Sequence, residues 1–324
     1  MRPLTRIAVP VLVMVLAAAC GSSGDDEAGT ATTETTATTA VPSSAEASTS
    51  VPSTAAPTTL APTTTEAGPT LELTIDGLEP LGDGFAYEAW LIVDDQPVSA
   101  GVFDDPAGAT VPVAEGEASA VVVTIEPVPD PDPAPADTHV LAGDLVDGAA
   151  TLTVGHEAAI GTDFAEASGR YILATPTDGT GTDENERSGI WWTEVPRAQS
   201  LFVPALPAGW AYESWVVIDG VPVTGGTFLD PFAADDAAPF SGPQEGPPLV
   251  GEDYLVNAPD GLTFPRDLRG MTAVISVEPV PDDSPAPFAI KPLVGAIPGD
   301  AVDHTAYPQD NVAADLPTGT ATLR

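Results

Sequence analysis

The sequence YEAWLIVDDQPVSAGVF (87–103) returns further along the chain as YESWVVIDGVPVTGGTF (212–228). Both faces of the alternation over residues 87–93 are mostly apolar, which is typical of a central strand in a sandwich. The turn-forming DDQP segment follows, so residues 98–103 should complete a hairpin. The block therefore predicts the same β-hairpin twice in one chain.

Other similar blocks follow in the same order in both copies. VVVTIEPVPDPDPAP (121–135) resembles AVISVEPVPDDSPAP (273–287), and GAATL (148–152) resembles GTATL (319–323). The shared order predicts an internal duplication. In this alignment, GTATL is the last strand of the second copy.

The second copy is longer because it carries two insertions, near 232–270 and 298–316. Dense Pro and Gly, with no long period of 3.6 residues, predict an all-β fold. We expect two tandem β-sandwich-like domains, a first half at 71–154 and a second half at 155–324. A single larger sandwich built from both halves is the alternative. Residues 169–195 predict a further hairpin that belongs to the second half.

The chain begins with the features of an export signal. Two arginines precede a short apolar run, and small residues lead to Cys20. We predict a lipoprotein signal peptide at 1–19 and lipid attachment at Cys20, with an ordinary secretory signal as the alternative. Residues 20–70 are rich in Thr, Ser, Ala and Pro and predict a disordered stalk. The expected location is the cell envelope, anchored by lipid to the outer face of the cytoplasmic membrane.

The charge of the chain excludes one class of partner. Asp and Glu total 48 against 9 Lys plus Arg, for a net charge of -39. Such a surface repels nucleic acid, so no nucleic-acid partner is expected. The single cysteine and three scattered histidines give no metal-ligand spacing, and we expect no metal and no cofactor.

Recurring carboxylates raise the question of catalysis. Glu88 and Glu126 in the first half recur as Glu213 and Glu278 in the second. A carboxylate pair could perform acid–base hydrolysis, but strand-end glutamates that accept backbone hydrogen bonds are the favoured interpretation. We therefore expect no enzymatic activity. The acidic loop 178–186 could hold calcium, but it lacks EF-hand spacing and a solvated tip is favoured.

The repeated pattern Tyr-Glu-x-Trp, then Pro-Val-x-x-Gly-x-Phe, then a strand ending in Glu-Pro resembles the C-terminal, extracytoplasmic domain of anti-sigma-K factors. The resemblance covers about 71–145 and 200–296. It implies an extracytoplasmic β domain and a role in ligand binding or sensing. The cytoplasmic helical region that holds the sigma factor in that family has no counterpart here, so direct sigma-factor binding is not expected. The residues that carry the resemblance are Tyr87, Glu88, Trp90, Pro97, Val98, Gly101, Phe103, Glu126 and Pro127, with Tyr212, Glu213, Trp215, Pro222, Val223, Gly226, Phe228, Glu278 and Pro279.

The insertion 232–270 distinguishes the halves most clearly, and loops grafted on a scaffold commonly carry binding sites. Its aromatic residues, with Trp191, form the predicted binding surface. An insertion that only covers an exposed sheet edge is the alternative, as is core packing for Trp191 or Trp192. The predicted surface consists of Phe232, Phe240, Tyr254, Phe264 and Trp191.

Three functions remain open on sequence alone. The favoured one is a non-enzymatic envelope module that binds or senses an unidentified ligand or protein. The others are a hydrolase of envelope carbohydrate and a passive structural surface protein.

Overall fold

A computed structural model describes residues 68–113, 117–179, 186–194, 198–282 and 284–324. The predicted signal peptide, Cys20 and almost all of the predicted stalk lie outside the described residues. In the part described, regular structure consists of strands and one short 3-10 helix, η1 (Ala313–Asp315). The strands are β1 (Thr70–Asp76), β2 (Phe85–Val93), β3 (Gln96–Phe103), β4 (Ala109–Pro112), β5 (Ala118–Pro127), β6 (His139–Asp144), β7 (Ala149–Thr153), β8 (Ser168–Leu173), β9 (Gly189–Trp191), β10 (Thr193–Glu194), β11 (Ala198–Gln199), β12 (Leu201–Phe202), β13 (Trp210–Ile218), β14 (Val221–Phe228), β15 (Gly251–Asp253), β16 (Thr272–Pro279), β17 (Ile290–Ala296), β18 (Tyr307–Asn311) and β19 (Thr318–Leu323).

The repeated block forms the predicted hairpin in both halves. In the first half β2 pairs antiparallel with β3, and in the second β13 pairs with β14. Each long strand also pairs on its other side, β2 with β5 and β13 with β16. Because β2 and β13 are paired on both sides, they are central strands, as their apolar faces predict. The hairpin predicted between the copies is also present, since β8 pairs with β9.

The strands form two large sheets with matching order. The first sheet runs β3-β2-β5-β6-β7-β19-β1-β4, and the second runs β14-β13-β16-β17-β18-β8-β9-β15, with β12 also paired to β8. In each sheet the two end strands approach each other, so both sheets are nearly closed and barrel-like. The prediction of an all-β fold built from two β units is therefore confirmed.

The last strand lies in the first sheet, and its predicted place in the second copy is wrong. β19 inserts between β7 and β1, where Gly319 pairs with Leu152 on one side and Ile75 on the other. The equivalent place in the second sheet is filled by β8, between β18 and β12. Small residues allow this close fit, because a Cβ on Gly319 would lie 3.0 Å from Ile75 Cγ1. β19 thus links the second half of the chain to the first sheet.

GAATL and GTATL are similar in sequence, but they do not occupy equivalent places in the two sheets. These two segments belong to β7 and β19, and they pair with each other. The strand that corresponds to β19 is β8, which shares its pattern of a hydroxyl residue, Gly and a final Leu: SGRYIL against TGTATL. Two strands that pair with each other in one sheet can therefore have similar sequences. Sequence similarity alone does not assign a strand to its sheet.

One continuous apolar core extends through both halves. It includes Tyr87 and Leu152 from the first half and Tyr212, Ile275 and Leu293 from the second, all with no exposed surface. The described residues group as one compact unit. No helical segment of membrane-spanning length and hydropathy occurs in the part of the chain that the structure describes.

Candidate functional site

The recurring glutamate at the end of β5 is held by hydrogen bonds within the fold. Trp90 Nε1 donates to Thr124 Oγ1 at 2.9 Å, and that hydroxyl donates to Glu126 Oε1 at 2.5 Å. The backbone N–H of Ala136, in the proline-rich loop, donates to the same carboxylate oxygen at 2.9 Å. Glu126 is 2% exposed, so it connects a strand to the loop above it and offers little surface to a substrate.

The second half repeats this arrangement with its own residues. Trp215 Nε1 donates to Ser276 Oγ at 2.9 Å, and Ser276 donates to Glu278. The backbone N–H of Phe288 donates to Glu278 at 3.0 Å. Burial raises the pKa of Glu278 to about 7. Glu126 and Glu278 therefore accept backbone hydrogen bonds in both copies, as the favoured sequence interpretation predicts.

The other recurring pair is bonded differently. Glu88 accepts a hydrogen bond from the Ser99 hydroxyl, and Glu213 accepts one from Thr224. These contacts join β2 to β3 and β13 to β14, so each glutamate connects the two strands of its hairpin. Burial is the main reason that the pKa of Glu88 is raised and that of Glu213 rises to about 7.

The insertion contributes a second group of buried carboxylates. Asp253, with no exposed surface, accepts hydrogen bonds from Thr177 N at 2.8 Å and from Trp191 Nε1 at 2.8 Å. Its neighbour Glu252 accepts a hydrogen bond from Ser241 and has a pKa raised to about 7 by burial. These bonds fasten the insertion to the strand β9 and to the segment after β8.

Three of the predicted aromatic residues form a cluster in which one ring is buried and two are half-buried. The rings of Phe240, Tyr254 and Phe264 pack against one another with centroids 5.6–5.8 Å apart. Tyr254 is 1% exposed, and Trp191 is 4% exposed in a separate cluster with Ile172 and Ala174. Apolar rings in an inserted segment pack together because this removes more surface from water than separate exposure does.

Of the five predicted residues, only Phe232 presents a large exposed side chain, 64% of it accessible. It lies in the same loop as a groove of about 680 Å³. The groove is bordered by Leu229 and Val280, which are 71% and 53% exposed, and its lining includes Trp210. Asp230 and Asp236 supply its charges, and the described lining residues include no Lys or Arg.

Sequence reasoning missed Leu229, although a signal was present. The turn after the repeated hairpin reads FDDP in the first half and FLDP in the second, so Leu229 replaces Asp104. Both side chains are exposed at this turn, so the second half presents an apolar group where the first presents a carboxylate. Leu229 is one of the residues that line the groove.

No group of three or more His, Cys, Asp or Glu side chains in the described residues could hold a metal ion. Most of the acidic loop 178–186, for which calcium binding was the alternative, lies outside these residues.

Comparison with known proteins gives one match. Residues 7–140 match the family described as "Anti-sigma-K factor rskA, C-terminal". The matched part contains the first copy of the repeated hairpin, whereas the second half lies beyond it. Neither the curated proteins nor the solved structures gave a match. Over residues 7–140, the chain is therefore similar to the C-terminal domain of anti-sigma-K factors.

Proposed function

We propose that this chain is a non-enzymatic binding module of the cell envelope, and that its second half recognises a protein partner at the groove beside Leu229. The observation that carries the proposal is the exposure of Leu229 and Phe232 next to a preformed groove of about 680 Å³. Adjacent exposed apolar side chains of this size commonly mark interaction sites. The family similarity of the first half supports an extracytoplasmic setting.

The partner should present an apolar side chain flanked by basic residues. The apolar side chain would fill the groove against Leu229 and Val280. Asp230 and Asp236 would attract the basic residues, and the net charge of -39 would speed the encounter. The recurring glutamates are engaged in hydrogen bonds that hold strands and loops together, which favours binding over hydrolysis as the function.

Site-specific crosslinking tests the groove. Leu229 is replaced by a photo-reactive benzophenone amino acid, and the matched control carries the same residue at Asp104 in the first half. In envelope fractions of the producing cells, we expect a discrete crosslinked product from position 229 and none from position 104. A product of equal yield from both positions, or from neither, contradicts the proposed partner site.

We also propose that Cys20 anchors the chain by lipid, since it follows an apolar run and small residues. Cys20→Ala should move the protein from the membrane fraction to the soluble fraction, as measured by fractionation and blotting. Cys20→Ser, which also lacks the thiol, should behave in the same way. Retention of both variants in the membrane at unchanged expression would refute the lipid anchor.

A further inference from the structure

A second cavity lies where the two halves meet, and its lining residues Pro279 and Pro281 flank Val280 of the groove beside Leu229. It has a volume of about 260 Å³ and takes its lining from both halves. Phe85 and Ile125 contribute from the first half, and Phe288 and Lys291 contribute from the second. The volume is slightly below the range of about 300–1,000 Å³ that is usual for pockets binding drug-sized ligands. The cavity therefore suits a smaller molecule.

Lys291 is the unusual residue in this cavity. It is the only lysine of a chain that contains 48 acidic residues. Every arginine that the structure describes has a carboxylate within 4 Å: Arg170, Arg187, Arg266, Arg269 and Arg324. Among the described residues, no carboxylate makes such an ion pair with the half-buried Lys291. In so acidic a protein, a cation inside a cavity that pairs with no carboxylate of the described residues is available to a ligand.

The other charges of the cavity restrict what that ligand can be. Glu79 and Asp282 line the cavity as exposed carboxylates, and Glu278 is buried and bonded to Phe288 N. A simple anion would be attracted by Lys291 but repelled by Glu79, by Asp282 and by the chain as a whole. A simple cation would meet Lys291 itself. A molecule that carries one negative and one positive group can place each group beside an opposite charge of the cavity.

We propose that this cavity binds a small zwitterion, namely a free amino acid or a dipeptide with an apolar side chain. The ligand carboxylate pairs with the Lys291 ammonium group, and its own ammonium group faces Glu79. The apolar side chain contacts the rings of Phe85 and Phe288, which are rigid and lose little entropy on binding. Because the walls come from both halves, binding also stabilises their junction. The proposal does not rest on the proposed protein-binding groove.

Calorimetric titration of the full chain tests the proposal with defined probes. The zwitterionic probes are leucine, phenylalanine and the dipeptide Leu-Leu. Leucinamide lacks the carboxylate, and 4-methylpentanoate lacks the ammonium group. We expect saturable binding of at least one zwitterionic probe, and affinity at least about tenfold lower for both single-charge analogues of leucine wherever leucine binds. An absence of binding by all three zwitterions at millimolar concentration overturns the proposal, as does equal binding of 4-methylpentanoate and leucine.

Variants distinguish a specific role of Lys291 in binding from a general effect of the protein's charge. Lys291→Met removes the charge and keeps the length of the side chain, whereas Lys291→Arg keeps the charge. Arg324→Met is the matched control, because it removes a surface cation that pairs with Glu72 at 2.8 Å. We expect Lys291→Met to weaken binding at least about tenfold and the other two variants to bind within about threefold of the parent chain. Melting temperatures of all variants identify any loss of folding. Unchanged binding by Lys291→Met overturns the assignment of Lys291.

Discussion

Asp253 is a carboxylate without any exposed surface, and Thr177 and Trp191 supply its hydrogen-bond donors. Trp191→Phe keeps an aromatic ring and removes the indole N–H, so Asp253 loses one donor. Leaving a buried charged acceptor less satisfied costs about 1–3 kcal/mol. We expect the free energy of unfolding, measured by urea denaturation, to fall by that amount. Phe232→Leu, at an exposed position, should change it by less than about 0.5 kcal/mol. Equal stability of the two variants would contradict this role for Trp191.

Trp191 also shows which properties of a single residue the sequence predicts. Strand alternation indicates that at least one of Trp191 and Trp192 points inward, and both are buried. Trp192 Nε1 donates to Gln309 at 2.9 Å, while Trp191 Nε1 donates to Asp253. Each tryptophan thus has its own acceptor far along the chain. No local pattern reveals such partners, so the burial of both could not be predicted.

At the scale of elements, β19 depends on small residues on its buried face. Gly319→Val would place a Cβ 3.0 Å from Thr74 O and from Ile75 Cγ1, so the strand would have to shift. Overpacking of this kind costs about 1–3 kcal/mol. We expect a lower melting temperature and faster amide hydrogen exchange in β1 and β7, the two neighbours of β19 in the first sheet. The control is Thr320→Val, a β-branched residue at the adjacent exposed position.

The exchange pattern distinguishes this arrangement from one in which β19 belongs to the second sheet. Faster exchange confined to β17 and β18 after Gly319→Val would contradict the observed pairing. Equal effects of the two valine variants would show that β propensity, rather than the close approach at Gly319, decides the stability.

For the insertion 232–270, the predicted role in binding competes with a structural role in the fold. Its strand β15 pairs with β9, and its rings Phe240, Tyr254 and Phe264 pack together. Shortening the insertion removes this cluster, and loss of a single buried aromatic residue already costs about 3–5 kcal/mol. We therefore expect a large fall in melting temperature, by scanning calorimetry, from the shortened chain.

A matched variant distinguishes an insertion that covers a sheet edge from one that binds a partner. Leu229→Ser with Phe232→Ser changes only exposed side chains, so it should keep the melting temperature and lose the partner if the groove binds one. A shortened insertion with unchanged stability would contradict the structural role. The sequence indicated that this segment is special, but it could not show which aromatic rings would pack inward.

On the scale of the whole molecule, the all-β class and the repeated hairpin could be predicted, because local alternation and the repeated order of similar blocks both indicate them. The place of β19 in the first sheet could not be predicted, because its residues TGTATL are small or apolar and carry nothing that identifies their sheet. The insertion of β19 into the first sheet and the continuous core make the halves interdependent. A change in charge inside the second half should therefore alter the stability of the entire described fold.

Buried carboxylates give this fold a predictable response to pH. Burial raises the pKa of Glu213, Asp235, Glu252 and Glu278 to about 7. The ordinary values are 4.5 for Glu and 3.8 for Asp. Between these values and pH 7 the folded state holds more protons than the unfolded state, so stability falls as pH rises. We expect the melting temperature to be higher at pH 5 than at pH 8, with the steepest loss between about pH 4.5 and 7.

Neutral variants identify the groups responsible for this response. Glu252→Gln combined with Glu278→Gln removes two of the four titrations while keeping side chains that can accept hydrogen bonds. This double variant should show a smaller difference in melting temperature between pH 5 and pH 8 than the parent chain. Glu166→Gln, at an exposed position, removes one negative charge from the surface and should leave the difference nearly intact. Because general repulsion in a chain of net charge -39 acts in the same direction, the comparison with Glu166→Gln decides the cause. If the exposed and buried variants flatten the profile equally, surface repulsion and not burial sets the pH dependence.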